Sequence, residues 1–595
     1  MIRLHDTMIR PVYWFFIFLL LVPVITGDLA GPAEASKPVS FVLLHVNDTH
    51  SQFTPRPYNL RFPGLEGPVR SQLGSVSKMA ALVRQVREKQ PHVLFFHAGD
   101  MVQGSLYYTL FHGQAEARVF NAMGLDVMAA GNHEFDRGAG GIVTLLNHAE
   151  FPVVSANMDV SEDPDLAGRI APYVIKQVDG VPVGVIGLLT QDLAKMSSPP
   201  DTLYMHPVIQ TAQELIDRLT ALGIRIIILL THIGYDQDLA LAAALTGADI
   251  IVGDHSHTLL GNFKDLGLAT RGPYPTVVSA LNGADVLVVH AWKHARMLGH
   301  LSVDFDDAGR VISYRGNPCL IAGAPFQDND AAPLDSGTLA QVRPAIGPGT
   351  GIALPQEDPA VAAMVGQYAR QVAEKGKIVV GRAEHPLRHI RVPDRTMPEG
   401  SAIAPLVAES LKRKVNRNGF DVDIAIQNAG GVRTGVPVGN ITIETVYDLL
   451  PFENTLIVFE MTGRRIISLL ENALSSIIDE QRFFGGFPYA SGLRFRFDPK
   501  ADRGTRVSGC QVMETSGTWR PMNRAETYRV VVNRFLAGGG DGYTVFDGLD
   551  GHDTGVIDTE AFLDYVSEKK SLTPLPPEEP PFGDPGAWPH PRWFP

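Results

Sequence analysis

The sequence predicts an α/β fold followed by a second, mixed α+β domain. Three observations carry that expectation. Short apolar strands alternate with helical segments over the first half, polar residues stand just after those strands, and a looser mixture of elements begins near residue 380. FVLLHV (41–46) opens the series and ends at Asn47 and Asp48. VLFFH (93–97) ends in Ala98, Gly99 and Asp100, and DVMAA (126–130) runs into Gly131, Asn132 and His133. VPVGVIGLL (181–189), IRIIILLTH (224–232) and ADIIVGDHSH (248–257) repeat the pattern. Helical stretches such as GSVSKMAALVRQVREK (74–89) and VIQTAQELIDRLTAL (208–222) lie between them. Unbroken apolar strands separated by helices mark a largely covered sheet. Segment 277–307 reads as closing strands of a more antiparallel kind.

A Gly/Pro-rich loop is expected near 314–350, then a polar helix at 359–376 that joins two domains. A chain of 595 residues is too long for one ordinary hydrophobic core. The expected division is a signal peptide or N-terminal anchor at 1–35, a first domain at 40–350, a linker helix within 351–378, a second domain at 379–570 and a proline-rich tail at 571–595. In the second domain, helices are expected at 401–415, 443–449 and 463–476, and strands at 422–427, 492–497 and 528–534. At the start, Arg3 and Arg10 precede VYWFFIFLLLVPVI (12–25), and small residues follow through Ala30 and Ala35. That apolar run of about 14 falls short of the roughly 20 residues that span a bilayer, so export to a periplasmic or extracellular location is expected, with tethering if the leader stays uncleaved. No later segment reads as an integral membrane helix.

Net charge is -13, from 64 acidic against 51 basic residues, which argues against a nucleic-acid polymer as partner. A small anionic substrate remains compatible, because a bound metal inverts the local potential. Cys319 and Cys510 are the only cysteines, too few for a thiolate-rich zinc site; whether they pair is left open.

Candidate ligand residues fall where strands end: Asp48, His50, Asp100, Asn132, His232, His255 and His257. A lone Asp at such a position is commonly a turn or cap, and a lone His a satisfied core-edge group. The conjunction of five motifs at five strand ends is harder to assign to solvated loops. In open α/β sheets the carboxyl ends of strands gather at one crevice. Seven oxygen and nitrogen donors suit a pair of divalent metals, with Asp100 bridging, and do not choose among Zn, Mn, Co and Fe. Water activated between such ions is a nucleophile for in-line attack on phosphorus. His133 need not be a ligand: Asp136, three residues on, can hold its imidazole and favour the protonated form. Phe135 is expected to pack inward, and Glu134 to make local loop hydrogen bonds.

NDTH (47–50), GD (99–100), GNHEFD (131–136), TH (231–232) and HSHT (255–258) resemble the metallophosphoesterase signature, and their order resembles the exported 5'-nucleotidase and UDP-sugar hydrolase family. That resemblance implies a four-layer α/β/β/α sandwich as the catalytic domain. It implies one metal on Asp48, His50, Asp100 and His257, a second on Asp100, Asn132, His232 and His255, and a catalytic dyad of His133 and Asp136. QNAGGVRTGVPVGNITIETVYDLLPFENTL (427–456) and NRFLAGGGDGY (533–543) resemble the family's nucleotide-binding segments. Phe452 and Phe535 then sandwich the base, Arg433 meets phosphate, Asn454 reads the base edge and Asp541 accepts from ribose hydroxyls.

The function implied is hydrolysis of nucleoside 5'-monophosphates to nucleoside and phosphate, on a small-molecule nucleotide. UDP-sugars and 2',3'-cyclic nucleotides are close alternatives. A thiosulfohydrolase is disfavoured by the paired phenylalanines, and a non-catalytic nucleotide-binding protein by the complete ligand set. Two departures stand out. Asp254 occupies a position where many relatives carry Gly, and PEGSAIAPLVAESL (398–411) lacks a family Asn, leaving Arg395 as its substitute.

Overall fold

The structure is a computed structural model that describes residues 37–574, apart from 194–196, 198, 329–331, 348, 395–396, 453 and 480–483. The leader at 1–35, the tail beyond 574 and Arg395 therefore lie outside the described residues.

The first strand, Val39–Val46, lies inside a sheet of ten strands among the described residues. It pairs in parallel with Val93–His97 and antiparallel with Met297–Phe305. Val93–His97 continues in parallel to Val127–Ala129. Val46 aligns with His97, and His97 with Met128, so the residues just beyond all three strands emerge at one edge. A six-stranded sheet repeats the device: Val181–Leu189, Ile226–His232, Ile250–Gly253 and Asp285–Val289 are parallel neighbours. Leu189 aligns with His232, and Thr231 with Gly253. Antiparallel Thr276–Ser279 and Tyr173–Val178 close its edges.

Alternation along each strand explains why the apolar runs are continuous. Phe41, Leu43, Leu94 and Phe96 share one core with Val183, Val185, Ile228 and Leu230 of the other sheet. Their neighbours Val42, Leu44 and Phe95 turn the opposite way, into a core built with the helices Val76–Lys89, Gln114–Ala122 and Ala139–His148. Ile186, Leu188, Ile227 and Leu229 face the helices Val208–Ala221 and Tyr235–Ala244. With both faces of the inner strands buried along most of their length, little room is left there for a polar alternation, whereas the edge strands Tyr173–Val178 and Thr276–Ser279 keep exposed positions.

The expected loop at 314–350 is in part regular structure. Cys319–Gln327 is a nine-residue strand that pairs with Met297–Phe305, Val69–Leu73 and Ile352–Ala353, and Ser336–Val342 is a helix. Gly323 and Pro325 obscured the strand signal; a register shift between Gly323 and Gln327 absorbs them, while Leu320, Ile321 and Ala322 stay buried. The helix Pro359–Gly376 starts as its sequence predicts, with Asp358 accepting from Ala360 and Val361 N–H and Pro359 in the first turn. Beyond connecting, it buries Val361, Val365 and Tyr368 in the core of the N-terminal half, where Tyr368 meets Phe111 at 4.7 Å between ring centroids.

A separate core runs from Ala383 to Leu572. Its five-stranded sheet sets Ile424–Asn428 in parallel beside Thr527–Asn533, flanked by the helices Ala404–Arg417, Gly463–Ile478 and Asp558–Lys569. That pairing brings Asn428 beside Asn533, whose amide donates to Asn428 Oδ1 at 2.8 Å. Among the described residues no helix is long and apolar enough to cross a membrane. Cys319 and Cys510 are both free.

Candidate active site

The two sheets meet where His232 Nδ1 donates to the Ala98 carbonyl at 2.8 Å. This contact joins the strand ends of both sheets into one cluster. Asp48, His50 and His257 form one group of metal-ligand atoms, Asp100, His232 and His255 another, and His50, Asp100 and His133 a third that overlaps both, each with its atoms within 4.8 Å of one another. His257 Nε2 is 3.5 Å from Asp48 Oδ1 and 3.0 Å from His50 Nε2, and His232 Nε2 is 3.1 Å from Asp100 Oδ2. Asp48 Oδ1, Asn132 Oδ1 and His232 Nε2 are buried without a hydrogen-bond partner. Buried acceptors left unpaired are costly unless a ligand completes them, and this donor set fits two divalent ions. His232, donating through Nδ1, presents the Nε2 lone pair that a metal requires.

The backbone is bent to make this possible. Asp48, His50, Asp100, His255 and His257 all have positive φ, between 43° and 96°. Such conformations cost free energy in non-glycine residues and concentrate at functional sites. Gly99, at φ +98°, sits so close to His232 that a Cβ there would lie 2.5 Å from Nδ1. Burial pushes His50 down to about 3 and His255 to about 4, which keeps both neutral and able to coordinate. At His232 burial also opposes charge, but the Asp100 carboxylate outweighs it and holds the group up at about 9, so an ion binding at Nε2 displaces a proton from it.

His133 and Asp136 lie beside the cluster. His133 Nδ1 donates to Asp136 Oδ2 at 2.6 Å, which turns Nε2 toward Asp100 Oδ2 at 3.9 Å. Burial works against the imidazolium, yet Asp136 and Asp100 together push His133 up to about 10. Glu134 is fully buried, and its carboxylate accepts from the N–H groups of Gly131 (2.7 Å), Met101 (2.8 Å), Asp100 (3.1 Å) and Val102 (3.3 Å). It thereby ties together the two loops that carry Asp100 and Asn132. Phe135 is fully buried in the adjacent core.

Several residues here have partners that the sequence did not suggest. Asp254 points inward: it faces His290 Nδ1 at 3.3 Å, His290 Nε2 meets Asp238 at 2.8 Å, and Asp238 accepts from Thr231 Oγ1 at 2.7 Å. Asn47 donates both to Asp254 and to Asp48, so this buried chain backs a candidate ligand. Burial first, then the Asp48 charge, holds the Asp254 carboxyl well above the usual range. Lys293 Nζ lies 3.1 Å from His257 Nδ1, and Ser197 Oγ donates to Asp136 Oδ1 at 2.8 Å. The polar run HAWKH (290–294) after an apolar strand is the same kind of signal as the other strand-end motifs.

The C-terminal half contributes an opposing face. Phe452 is 48% exposed and Phe535 47%, unusual for large rings in an otherwise buried set. Arg433 Cζ stands 5.4 Å from the Phe452 ring centroid, and Asp541 accepts from Asn428 at 2.9 Å. The Asn454 amide donates to the buried Asp558 at 3.2 Å. Gln103, three residues after Asp100, donates to the Phe452 carbonyl at 2.9 Å and so joins this face to the cluster.

Comparison with known proteins covers nearly the whole chain. The calcineurin-like phosphoesterase family matches residues 41–259, and the 5'-nucleotidase C-terminal domain matches 379–548. A probable 5'-nucleotidase of Treponema pallidum is 31% identical over 548 residues, 89% of this chain and 92% of that protein. The structure of Haemophilus influenzae NAD nucleotidase is similar with a TM-score of 0.71 at 30% identity, over 92% of this chain and 99% of that one. A 5'-nucleotidase precursor from Thermus thermophilus gives 0.62 at 36% identity, over 91% and 99%.

Proposed function

Because the chain belongs to the 5'-nucleotidase family, a calcineurin-like phosphoesterase domain followed by a 5'-nucleotidase C-terminal domain, we propose that it hydrolyses nucleoside 5'-monophosphates to nucleoside and phosphate. The single observation that carries this reading is the convergence of the overlapping Asp/His clusters on one crevice. We assign one divalent ion to Asp48, His50, Asp100 and His257 and the other to Asp100, Asn132, His232 and His255. When bound, the pair supplies an acidified water and neutralises phosphoryl charge.

The chain's own residues do the rest. Arg433 takes a phosphate oxygen, where a guanidinium fork is the suitable donor. Phe452 and Phe535 stack on the base, Asn454 meets its edge, and Asp541 accepts from the ribose. Together they align the ester for in-line displacement. Attack of water on phosphorus breaks the P–O5' bond. His133, held by Asp136, carries the proton that O5' needs as it leaves, through the Nε2 turned toward the cluster. The nucleoside and inorganic phosphate account for all atoms.

The same reading divides the chain into a catalytic domain at 40–350, a linker helix within 351–378 and a substrate-binding domain at 379–570. It takes the first as a four-layer α/β/β/α sandwich, which the cores on either side of the two sheets support. The leader read at 1–35 adds export, which N-terminal sequencing of the mature protein tests.

A second reading is favoured by the likeness to NAD nucleotidase: pyrophosphate esters such as NAD or UDP-sugars are cleaved at the same centre. Phosphate or nucleotide release from AMP, NAD, UDP-glucose and a 2',3'-cyclic nucleotide, with Zn, Mn or Co supplied, separates the two. Release from AMP that stops on chelation and returns with metal supports the leading proposal. No release from any nucleotide with any of the metals refutes both.

A further inference from the structure

Arg534 immediately precedes Phe535 and is only 13% exposed. On its own side it is anchored by Nε donating to Thr455 Oγ1 at 2.8 Å and by an ion pair of Nη2 with Asp553. The same Nη2 reaches across to the N-terminal half and donates to the Ser197 carbonyl at 3.1 Å. Ser197 is buried and donates its hydroxyl to Asp136 Oδ1, the oxygen that His133 does not use. Gln103 to Phe452, Arg137 to Glu560 and Tyr447 to Thr109 also cross between the halves. The Arg534 contact differs from these in ending on a residue that bonds Asp136 directly.

We propose that Arg534 is an interdomain positioning residue: seated on Ser197, it sets Asp136 and through it His133, so that the segment carrying Phe535 is coupled to the acid–base pair. The inference rests on the hydrolase reading above and adds a connection to it. Three physical features support it. Arg534 Nη1 is buried without a hydrogen-bond partner, so the guanidinium is desolvated where it stands. Burial lowers the guanidinium to about 10, and the nearby Asp136 charge works against that fall. A desolvated cation tolerates poor seating badly, which makes the contact closer to all-or-none than a solvated bridge. Arg534 leaves the backbone next to Phe535, so the segment that carries the base clamp also sets the dyad, whichever ester is bound. Geometry of this kind acts on turnover more than on ground-state affinity.

The test compares wild type, Arg534→Ala, Arg534→Lys, Ser197→Ala and the Arg534→Ala/Ser197→Ala double variant on AMP and on p-nitrophenyl phosphate, with bound metal measured in each. Arg534→Ala is expected to lower kcat about tenfold or more on both substrates, with KM for p-nitrophenyl phosphate within about twofold and the metal content unchanged. Arg534→Lys, which still offers a donor to the Ser197 carbonyl, restores part of the loss. In the cycle, the double variant falls no more than about twofold below the worse single variant, because both changes cut one connection. Multiplicative losses overturn the proposal. So does an Arg534→Ala effect confined to KM for AMP, which makes Arg534 part of the base clamp alone, or a loss of metal. If wild type releases phosphate from neither substrate, the monophosphate-hydrolase reading falls and the coupling with it. Activity of wild type with no effect of Arg534→Ala removes only the coupling.

Discussion

Removing the Glu134 carboxylate is the sharpest perturbation of the loop architecture. In Glu134→Ala, four buried N–H groups lose their acceptor: those of Gly131, Asp100, Met101 and Val102. An unsatisfied buried donor costs about 1–3 kcal/mol. Some of these groups regain water as the loops loosen, so the low end of the range applies, and a total of roughly 3–5 kcal/mol is expected. The two loops concerned carry Asp100 and Asn132, so metal affinity falls as well, by about 10- to 100-fold if Glu134 acts as ligand-supporting groups generally do. Glu134→Gln retains one acceptor oxygen but presents an amide donor to N–H groups, and falls between parent and alanine. Thermal unfolding with and without added metal, paired with elemental analysis of the purified protein, measures both effects. An alanine variant that keeps two ions per chain and the parent's unfolding midpoint refutes the reasoning.

The other expectations concern chemistry, recognition and pH. His133→Ala keeps its metals and loses about 10²- to 10⁴-fold in kcat, the usual share of a positioned proton donor; metal loss in that variant assigns the residue to coordination instead. Phe535→Ala removes a stacking face worth about 1–3 kcal/mol, so KM for nucleotides rises about 5- to 150-fold while p-nitrophenyl phosphate is processed as before. Equal losses on both substrates contradict the base clamp. Glu116, fully buried on the helix Gln114–Ala122, is pushed up to about 7 by burial. A carboxyl raised in the folded state imposes no penalty below the unfolded value near 4.5, and stability is lost as pH rises toward 7. Glu116→Gln is therefore no more stable than the parent at pH 4, and its advantage grows toward an upper bound of about 3 kcal/mol above pH 7. Unfolding curves across that range check the sign, and a constant difference at all pH values rejects it.

Much of the site was legible because its parts are local. Continuous apolar strands fix a covered parallel sheet, and a parallel sheet delivers the loop after each strand to the same edge. For Asp48, Asp100 and Asn132 no more was needed than the alignments of Val46 with His97 and of His97 with Met128. Gly99 and Gly131 punctuate the same turns, and the first is required by its close approach to His232. The aromatic positions Phe452 and Phe535 came from resemblance rather than from pattern, since an isolated Phe reads as core until its exposure is known. The strand Cys319–Gln327 was hidden for the opposite reason: its glycine and proline imitate a loop, and pairing partners on both sides override them.

Sequence alone determined the ligand chemistry, the strand-to-helix order and the pairing of His133 with Asp136 three residues later. Only the tertiary structure decided that the two sheets close on each other through Ala98 and His232, that Asp254 turns inward to His290, and that Arg534 reaches Ser197. The physical reason is range. Periodicity and turn residues report the backbone a few residues at a time. A hydrogen bond between groups hundreds of residues apart is settled by how separately built layers pack, and no single segment carries that information.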